Sequence, residues 1–310
     1  MVTDPFQNVF YRKVYYFDIM MLARGNASTK VFLQNKDKYH YDSFIFGSSR
    51  STAHTGKKWA TYLSKENVPF SFGAWNESIE GVYRRLNLID SLKCPVKNAF
   101  IVIDIDRMFS KSDTLKASDF EDDHYLISEK SRFNYYMHDF LAYLNNPKLI
   151  LTSIDYKIFK KQRDYMEGFI GMKESDMDAI TNDWEVNSEK KINADSANYY
   201  NIAAAKFYER PKDQRFSKKL ISTNKLNYLN KIEAIFKKHH TNYKIVIAPL
   251  YDQIKINKED LSTLWDVFGK QNVYDYSGIN SITNNKYNYH NDVVHYRKKI
   301  GDLIFHEIYK

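Results

Sequence analysis

Apolar residues fall along this chain in two alternating rhythms. The first is a set of short, nearly continuous apolar runs, the pattern of strands buried on both faces. Ser43-Phe44-Ile45-Phe46 runs into Gly47-Ser48-Ser49-Arg50, Phe100-Ile101-Val102-Ile103 into Asp104-Ile105-Asp106, and Tyr243 to Ala248 is stopped by Pro249. Two shorter runs, Phe70-Ser71-Phe72 before Gly73 and Val273-Tyr274-Asp275 before Ser277-Gly278, complete a set of five. The second rhythm is helical. Leu226, Leu229, Ile232 and Phe236 form one stripe behind a cap at Ser222 or Thr223, and Leu261, Leu264, Trp265 and Phe268 form another before Gly269. A last helix over about 297–308 is expected to bury Ile300, Leu303, Ile304 and Ile308.

Strands alternating with helices of this length predict βαβ units, and so an α/β fold: a three-layer α/β/α sandwich around a mainly parallel five-stranded sheet. In such sheets functional groups gather where strands end at their carboxyl termini, which makes the polar strand ends quoted above candidate site residues. Over about 109–219 the alternation stops. Charged and aromatic helical segments such as 132–144 follow one another there, and Leu149-Ile150-Leu151 is the one strand-like run. The expectation is a single domain over 1–310 with a helical insertion at 109–219.

Composition narrows the function classes. With 310 residues, 43% of them hydrophobic, the chain is long and apolar enough to bury a sizeable core. Its net charge of +8 would suit a polyanion, but the basic residues come in pairs and triplets such as Lys160-Lys161, Lys237-Lys238 and Arg297-Lys298-Lys299 on expected helices. Solvated helix faces account for them, and a nucleic-acid partner is not expected. Cys94 is the sole cysteine, which excludes an intrachain disulfide and a cysteine zinc site. No apolar run approaches the about 20 residues of a membrane span. Met1 to Phe6 has neither the charged nor the apolar region of a secretory signal, so any such signal is absent or removed.

Two constellations carry chemistry. Gly47-Ser48-Ser49 places a serine just past a buried strand, with glycine two residues before it, where a nucleophile would be exposed beside backbone N–H groups. A plain turn or helix cap reads equally well from those three residues. Asp292-Val293-Val294-His295 spaces a carboxylate three residues before an imidazole, so that one turn could hold the ring while it accepts a serine proton. Glu121-Asp122-Asp123-His124 reads as an acidic loop, since consecutive residues do not converge on one ion; no metal and no cofactor is expected. His239-His240 reads as a helix cap, and His54 as a histidine on the helix after Ser49, facing away from it.

Together these features resemble the SGNH, or GDSL-like, hydrolase superfamily: a strand running into Gly-x-Ser, a glycine after the second strand, a polar residue after the third, and Asp-x-x-His before the final helix. The Gly-Ser-Ser branch, which includes D-alanyl transfer proteins and polysaccharide O-acetyl-modifying enzymes, is the nearest in pattern. The resemblance covers about 41–106 and 243–310. It implies Ser49 as nucleophile, His295 as general base and Asp292 as its orienting carboxylate. It also implies an oxyanion hole from the Ser49 and Gly73 N–H groups and a third group at Asp106, where the family carries asparagine. An ionised Asp106 would repel an oxyanion, so Asn76 is an alternative donor, with a helix cap near Ile79 as its competing role. Arg50, Trp75, Tyr289 and Tyr296 are candidate substrate contacts, Arg50 having a structural ion pair as its other reading.

The function implied is an esterase or acyltransferase of O-acetyl or D-alanyl type. Its substrate would be an acylated glycan or another carbohydrate-containing polymer of the bacterial cell envelope, outside the cytoplasm, with a membrane-bound partner as a possible acyl donor. The alternative is a non-catalytic domain of the same fold that binds a glycan or a partner protein.

Overall fold

The computed structural model describes residues 24–105, 107–109, 123–128, 130–159, 161, 163–166 and 176–310. In chain order the first half holds α1 (Arg24–Tyr39), β1 (Ser43–Phe46), α2 (Gly56–Ala60), β2 (Pro69–Ser71), α3 (Ile79–Ser91) and β3 (Asn98–Ile103). Helices α4 (Tyr125–Ser128), α5 (Arg132–Leu144) and α6 (Pro147–Phe159) follow, then a small antiparallel pair, β4 (Asp176–Met177) and β5 (Trp184–Glu185). Next come α7 (Asn187–Ala194), α8 (Ser196–Ile202), α9 (Thr223–His239), β6 (Asn242–Ile247), α10 (Lys258–Phe268), β7 (Val273–Asp275), α11 (Ser281–Asn284) and α12 (Lys298–Tyr309).

The five expected strands form one all-parallel sheet in the order β2-β1-β3-β6-β7. Every residue of β1, β2 and β3 is buried, which is why these strands read as continuous apolar runs. Helices cover both faces. On one, Phe32 of α1 lies 5.9 Å from Phe44 and 5.0 Å from Phe72, and α3 packs beside α9. On the other, Phe100 meets Phe305 of α12 at 4.8 Å and Trp59 of α2 at 6.1 Å. The chain is thus an α/β/α sandwich. Its strand order reverses between β1 and β3, so the carboxyl ends of these two strands flank the crevice where open parallel sheets place their sites.

Several local expectations are refined. Ser222, rather than Thr223, caps α9, its hydroxyl accepting from the Lys225 N–H. In α12, Ile300 and Ile304 are buried but Leu303 is 38% exposed, because it lies on the outer side of the helix. Leu149-Ile150-Leu151 belongs to helix α6 and not to a strand. Pro147 stands at the first position of that helix and the Asn146 side chain accepts from the Leu149 N–H, a start signal that outweighs three apolar residues in a row. His240 is the C-cap of α9, and the ring of His239 before it bonds Asp90 of α3 at 2.7 Å. No helix among the described residues is long and apolar enough to cross a membrane.

Candidate active site

The site begins with a turn that only glycine permits. At Gly47 φ is +152°, and a Cβ there would lie 3.0 Å from the Val102 carbonyl oxygen and 2.9 Å from Ser51 Cβ. Leaving β1 this close to β3, the chain passes straight into a 3-10 turn, Ser49–Ala53, capped by the Ser48 hydroxyl on the Arg50 N–H. Helix α12 fixes this turn from behind: a Cβ on Gly301 would sit 2.0 Å from the Ala53 carbonyl oxygen, so the two backbones touch. Ser49 therefore stands on a short, braced element at the sheet's carboxyl edge.

The opposing wall is the loop between α11 and α12. Tyr289 and Tyr296 pair as an antiparallel bridge, and the His290 N–H bonds the His295 carbonyl at 2.9 Å, closing a tight loop. Inside it Val293 takes φ +53°, a left-handed conformation that a β-branched residue adopts at a strain of about 1–3 kcal/mol. Asp292 Oδ1 holds the loop's shape by accepting from the Val294 and His295 N–H groups at 2.9 and 3.0 Å.

The three residues converge. His295 Nε2 lies 2.7 Å from Ser49 Oγ, and His295 Nδ1 lies 2.7 Å from Asp292 Oδ2. Burial would raise the Asp292 pKa, but bonding to the His295 ring and the loop N–H groups outweighs it and brings the carboxyl down to about 2. An ionised Asp292 keeps the ring proton on Nδ1, which leaves Nε2 to accept the Ser49 hydroxyl. His54 cannot compete as the base. It ends the 3-10 turn rather than lying on a helix; its buried ring bonds the Tyr296 hydroxyl at 2.9 Å, and burial lowers its pKa to about 3.

Other expected site residues divide. Trp75 and Asn76 line the cleft of about 440 Å³ that also holds Ser49, Asp292 and His295. Asn76 is exposed, with φ +50°, and its amide oxygen is taken by Arg107 at 2.9 Å, so its NH₂ is the end left to donate. It does not cap α3; Ser78 does. Gly73 is buried against Ser51 and Gly47 and is not part of the cleft wall. Among the described residues, neither its N–H nor that of Ser49 donates a hydrogen bond. Asp106 lies outside the described residues.

The tyrosines are corrected. Tyr289 is fully buried and its hydroxyl donates to the Pro249 carbonyl, so it belongs to the core. Tyr296 is 2% exposed with its hydroxyl on His54, and it serves the loop as a strut, with only an edge toward a neighbouring cavity. Both are held there by the bridge that closes the loop. Arg50 borders the cleft and also has the structural ion pair: only 5% of its side chain is exposed, its Nε donates to the Val294 carbonyl at 2.9 Å, and its Nη1 pairs with Asp104 at 3.2 Å.

Sequence reasoning gave no specific role to Asp104, Glu189, Trp184 and His290. Asp104, fully buried at the end of β3, accepts from the Ser48 hydroxyl as well as pairing with Arg50, and so ties the serine turn to β3, while Arg50 Nε carries the contact on to the Val294 carbonyl of the histidine loop. Glu189 of α7 bonds His290 at 3.1 Å and Arg297 at 3.0 Å and accepts from the Lys298 N–H, gripping the histidine loop at both ends. Trp184 of β5 stacks on Trp75 at 5.7 Å and, with His290, also lines a second cavity of about 360 Å³. The two cavities share Thr52, Trp184, Val186 and His290, so they lie side by side. The strand-end rule that pointed to Asp106 applied equally to Asp104; nothing local marked the others.

Burial would raise the Glu189 pKa, yet the bonds from His290, Arg297 and the Lys298 N–H bring it down to about 2. A carboxyl depressed from its ordinary 4.5 stabilises the fold fully above that pH and loses its contribution as pH falls toward 2. Glu189→Gln is therefore expected to lower Tm at pH 6–7, with the gap to the native chain closing between pH 4.5 and 2. Thermal melts of both chains across that range check it; a gap that does not change with pH contradicts it.

No protein-family model matches the chain, and no curated protein matches it significantly.

Proposed function

We propose that this protein is a serine-dependent esterase or acyltransferase of SGNH type, acting on O-acyl groups of a carbohydrate-containing polymer. The observation that carries the reading is the unbroken chain of contacts Ser49–His295–Asp292, each link 2.7 Å, opening into a cleft. A hydrogen-bonded nucleophile, base and orienting carboxylate are the parts that acyl transfer requires.

Ser49 Oγ attacks the acyl carbonyl carbon while its proton passes to His295 Nε2. The tetrahedral oxyanion is met by the Ser49 N–H group and the Asn76 amide, the two donors that border the cleft. Collapse breaks the ester bond, and the imidazolium returns its proton to the departing sugar hydroxyl, leaving an acyl-serine. Water then completes hydrolysis, or a second hydroxyl completes transfer, each activated by the same histidine. An acylated glycan of the cell envelope, outside the cytoplasm, is the substrate class that the sequence resemblance favours, with a membrane-bound acyl donor in the transfer case.

A second cavity beside the serine cleft supports a polymeric substrate. A small acyl group fills only the space beside Ser49, and the second cavity offers Trp184 for stacking and carboxylates such as Asp178 and Glu185 for sugar hydroxyls. Trp184→Leu is expected to raise KM for an acetylated oligosaccharide about tenfold. It should leave kcat/KM for a small acetyl ester within about twofold, because that ester needs no stacking surface. Equal losses on both substrates would refute the assignment of the second cavity.

The reading itself is tested by fluorophosphonate labelling and acetyl-ester hydrolysis in the native, Ser49→Ala and His295→Ala chains. Labelling and turnover that vanish in both variants support it. No labelling of the native chain overturns it.

A further inference from the structure

Helices α5 and α6 carry apolar residues on the side turned away from the protein. On α5, Tyr135, Asp139 and Ala142 are buried, whereas Phe133, Met137, Phe140, Leu141 and Leu144 are exposed. The exposed set recurs at three- and four-residue intervals, so it lies within one arc of about 100° opposite the buried face. Helix α6 repeats the arrangement: Leu149, Thr152, Ser153 and Tyr156 face inward, and Leu151, Ile154, Ile158 and Phe159 face out. Phe133 is 70% exposed, Ile158 66% and Leu151 63%, where a solvated helix would carry polar side chains.

Charge along these helices leans basic. Residues 130–166 hold seven lysines and arginines against three aspartates, with Glu129 and Glu167 just outside that stretch. Of the three aspartates, Asp139 is buried and Asp155 is paired with Arg163 at 2.7 Å. Arg132, Lys148, Lys157 and Lys161 are exposed. Aromatic and aliphatic residues rimmed by cations are what a helix needs to rest in the headgroup region of an acidic membrane, its rings among the acyl chains and its long basic side chains reaching the phosphates.

We propose that the outer face of α5 and α6 docks on the surface of an anionic lipid bilayer. Each helix has 13 residues, about 20 Å, too short to span the hydrocarbon layer and well suited to lie along it. A second copy of the chain is the poorer occupant, since pairing two such faces brings like-charged rims together. The docking is independent of the serine chemistry and places the protein at a membrane whatever reaction it performs.

Vesicle flotation tests this at 0.1 M salt, with phosphatidylcholine vesicles and with vesicles of three parts phosphatidylcholine to one part phosphatidylglycerol. The native chain is expected to float with the anionic vesicles and to bind them about tenfold or more better than the neutral ones. The triple variant Phe133→Ser, Phe140→Ser, Ile158→Ser is expected to lose about tenfold or more of that binding. Its circular dichroism and Tm should match the native chain's, because all three side chains are exposed. Ser49→Ala is expected to float like the native chain, so this outcome is separate from the fate of the esterase reading. Three results would overturn the proposal: no flotation of the native chain, flotation unchanged in the triple variant, or a concentration-dependent dimer in sedimentation velocity that the triple variant abolishes.

Discussion

Ser49→Ala is expected to lower kcat for a small acetyl ester by about 10⁴- to 10⁶-fold with KM little changed. The serine hydroxyl donates to His295 Nε2 at 2.7 Å and, among the described residues, makes no other side-chain bond, so its removal takes away the proposed nucleophile and leaves the turn intact. His295→Ala should fall to a similar residual rate, and the double variant should fall no further, because the two residues act as one unit. Asp292→Asn separates orientation from shape. An asparagine oxygen can still accept from the Val294 and His295 N–H groups and keep the loop, but its NH₂ would face Nδ1 and force the ring proton onto Nε2. The histidine then has no lone pair for Ser49, and a loss of about 10⁴-fold in kcat is expected. With the Asp292 carboxyl at about 2, this carboxylate stays ionised through the neutral range, so its titration does not limit activity there. Steady-state rates of the four variants decide the matter; Ser49→Ala turnover within tenfold of native would defeat the catalytic reading.

The framework of this protein was legible because its information is local. Strands of a covered parallel sheet read as apolar runs, and β1 and β3 are buried at every position. Ser49 sits at a strand end, and Asp292 and His295 are three residues apart, so each half of the site could be seen within a few residues. What remained hidden is what binds distant segments. Glu189 reaches His290 across 101 positions, and Ser48 reaches Asp104 across 56. No periodicity announces such contacts. Tyr289 and Tyr296 looked like cleft residues from their closeness to His295, but the bridge between them turns both rings inward. Asn76 proved to be a cleft residue and not a helix cap, because Ser78 stands in register for the first turn of α3.

Asp104→Ala is expected to destabilise the fold by about 3–5 kcal/mol, because it removes a carboxylate that pairs with the guanidinium of Arg50, a side chain only 5% exposed. Ser48 would lose its acceptor at the same time. Asp104→Asn, which keeps an acceptor of the same shape, should lose less. The more telling experiment replaces both charges. An apolar pair of similar volume, Arg50→Met with Asp104→Leu, removes both charges and should recover much of the lost stability, since exchanging a buried ion pair for packed hydrophobic groups is often near neutral. Activity should not recover. Arg50 Nε holds the carbonyl of Val294, the residue next to His295, and with that tether gone the imidazole is free to shift against Ser49. A displacement of about 1 Å is worth about 10²-fold in rate. Urea unfolding and ester kinetics on the single and double variants therefore should diverge, with stability largely restored and kcat still down about 10²-fold at unchanged KM. A double variant as active as the native chain would show that the buried pair merely fills space; one as unstable as Asp104→Ala would show that the pair contributes more than relief of its own burial. The expected divergence assigns Arg50 and Asp104 a positioning role, in which a buried ion pair between the ends of β1 and β3 sets the distance across which the serine proton moves.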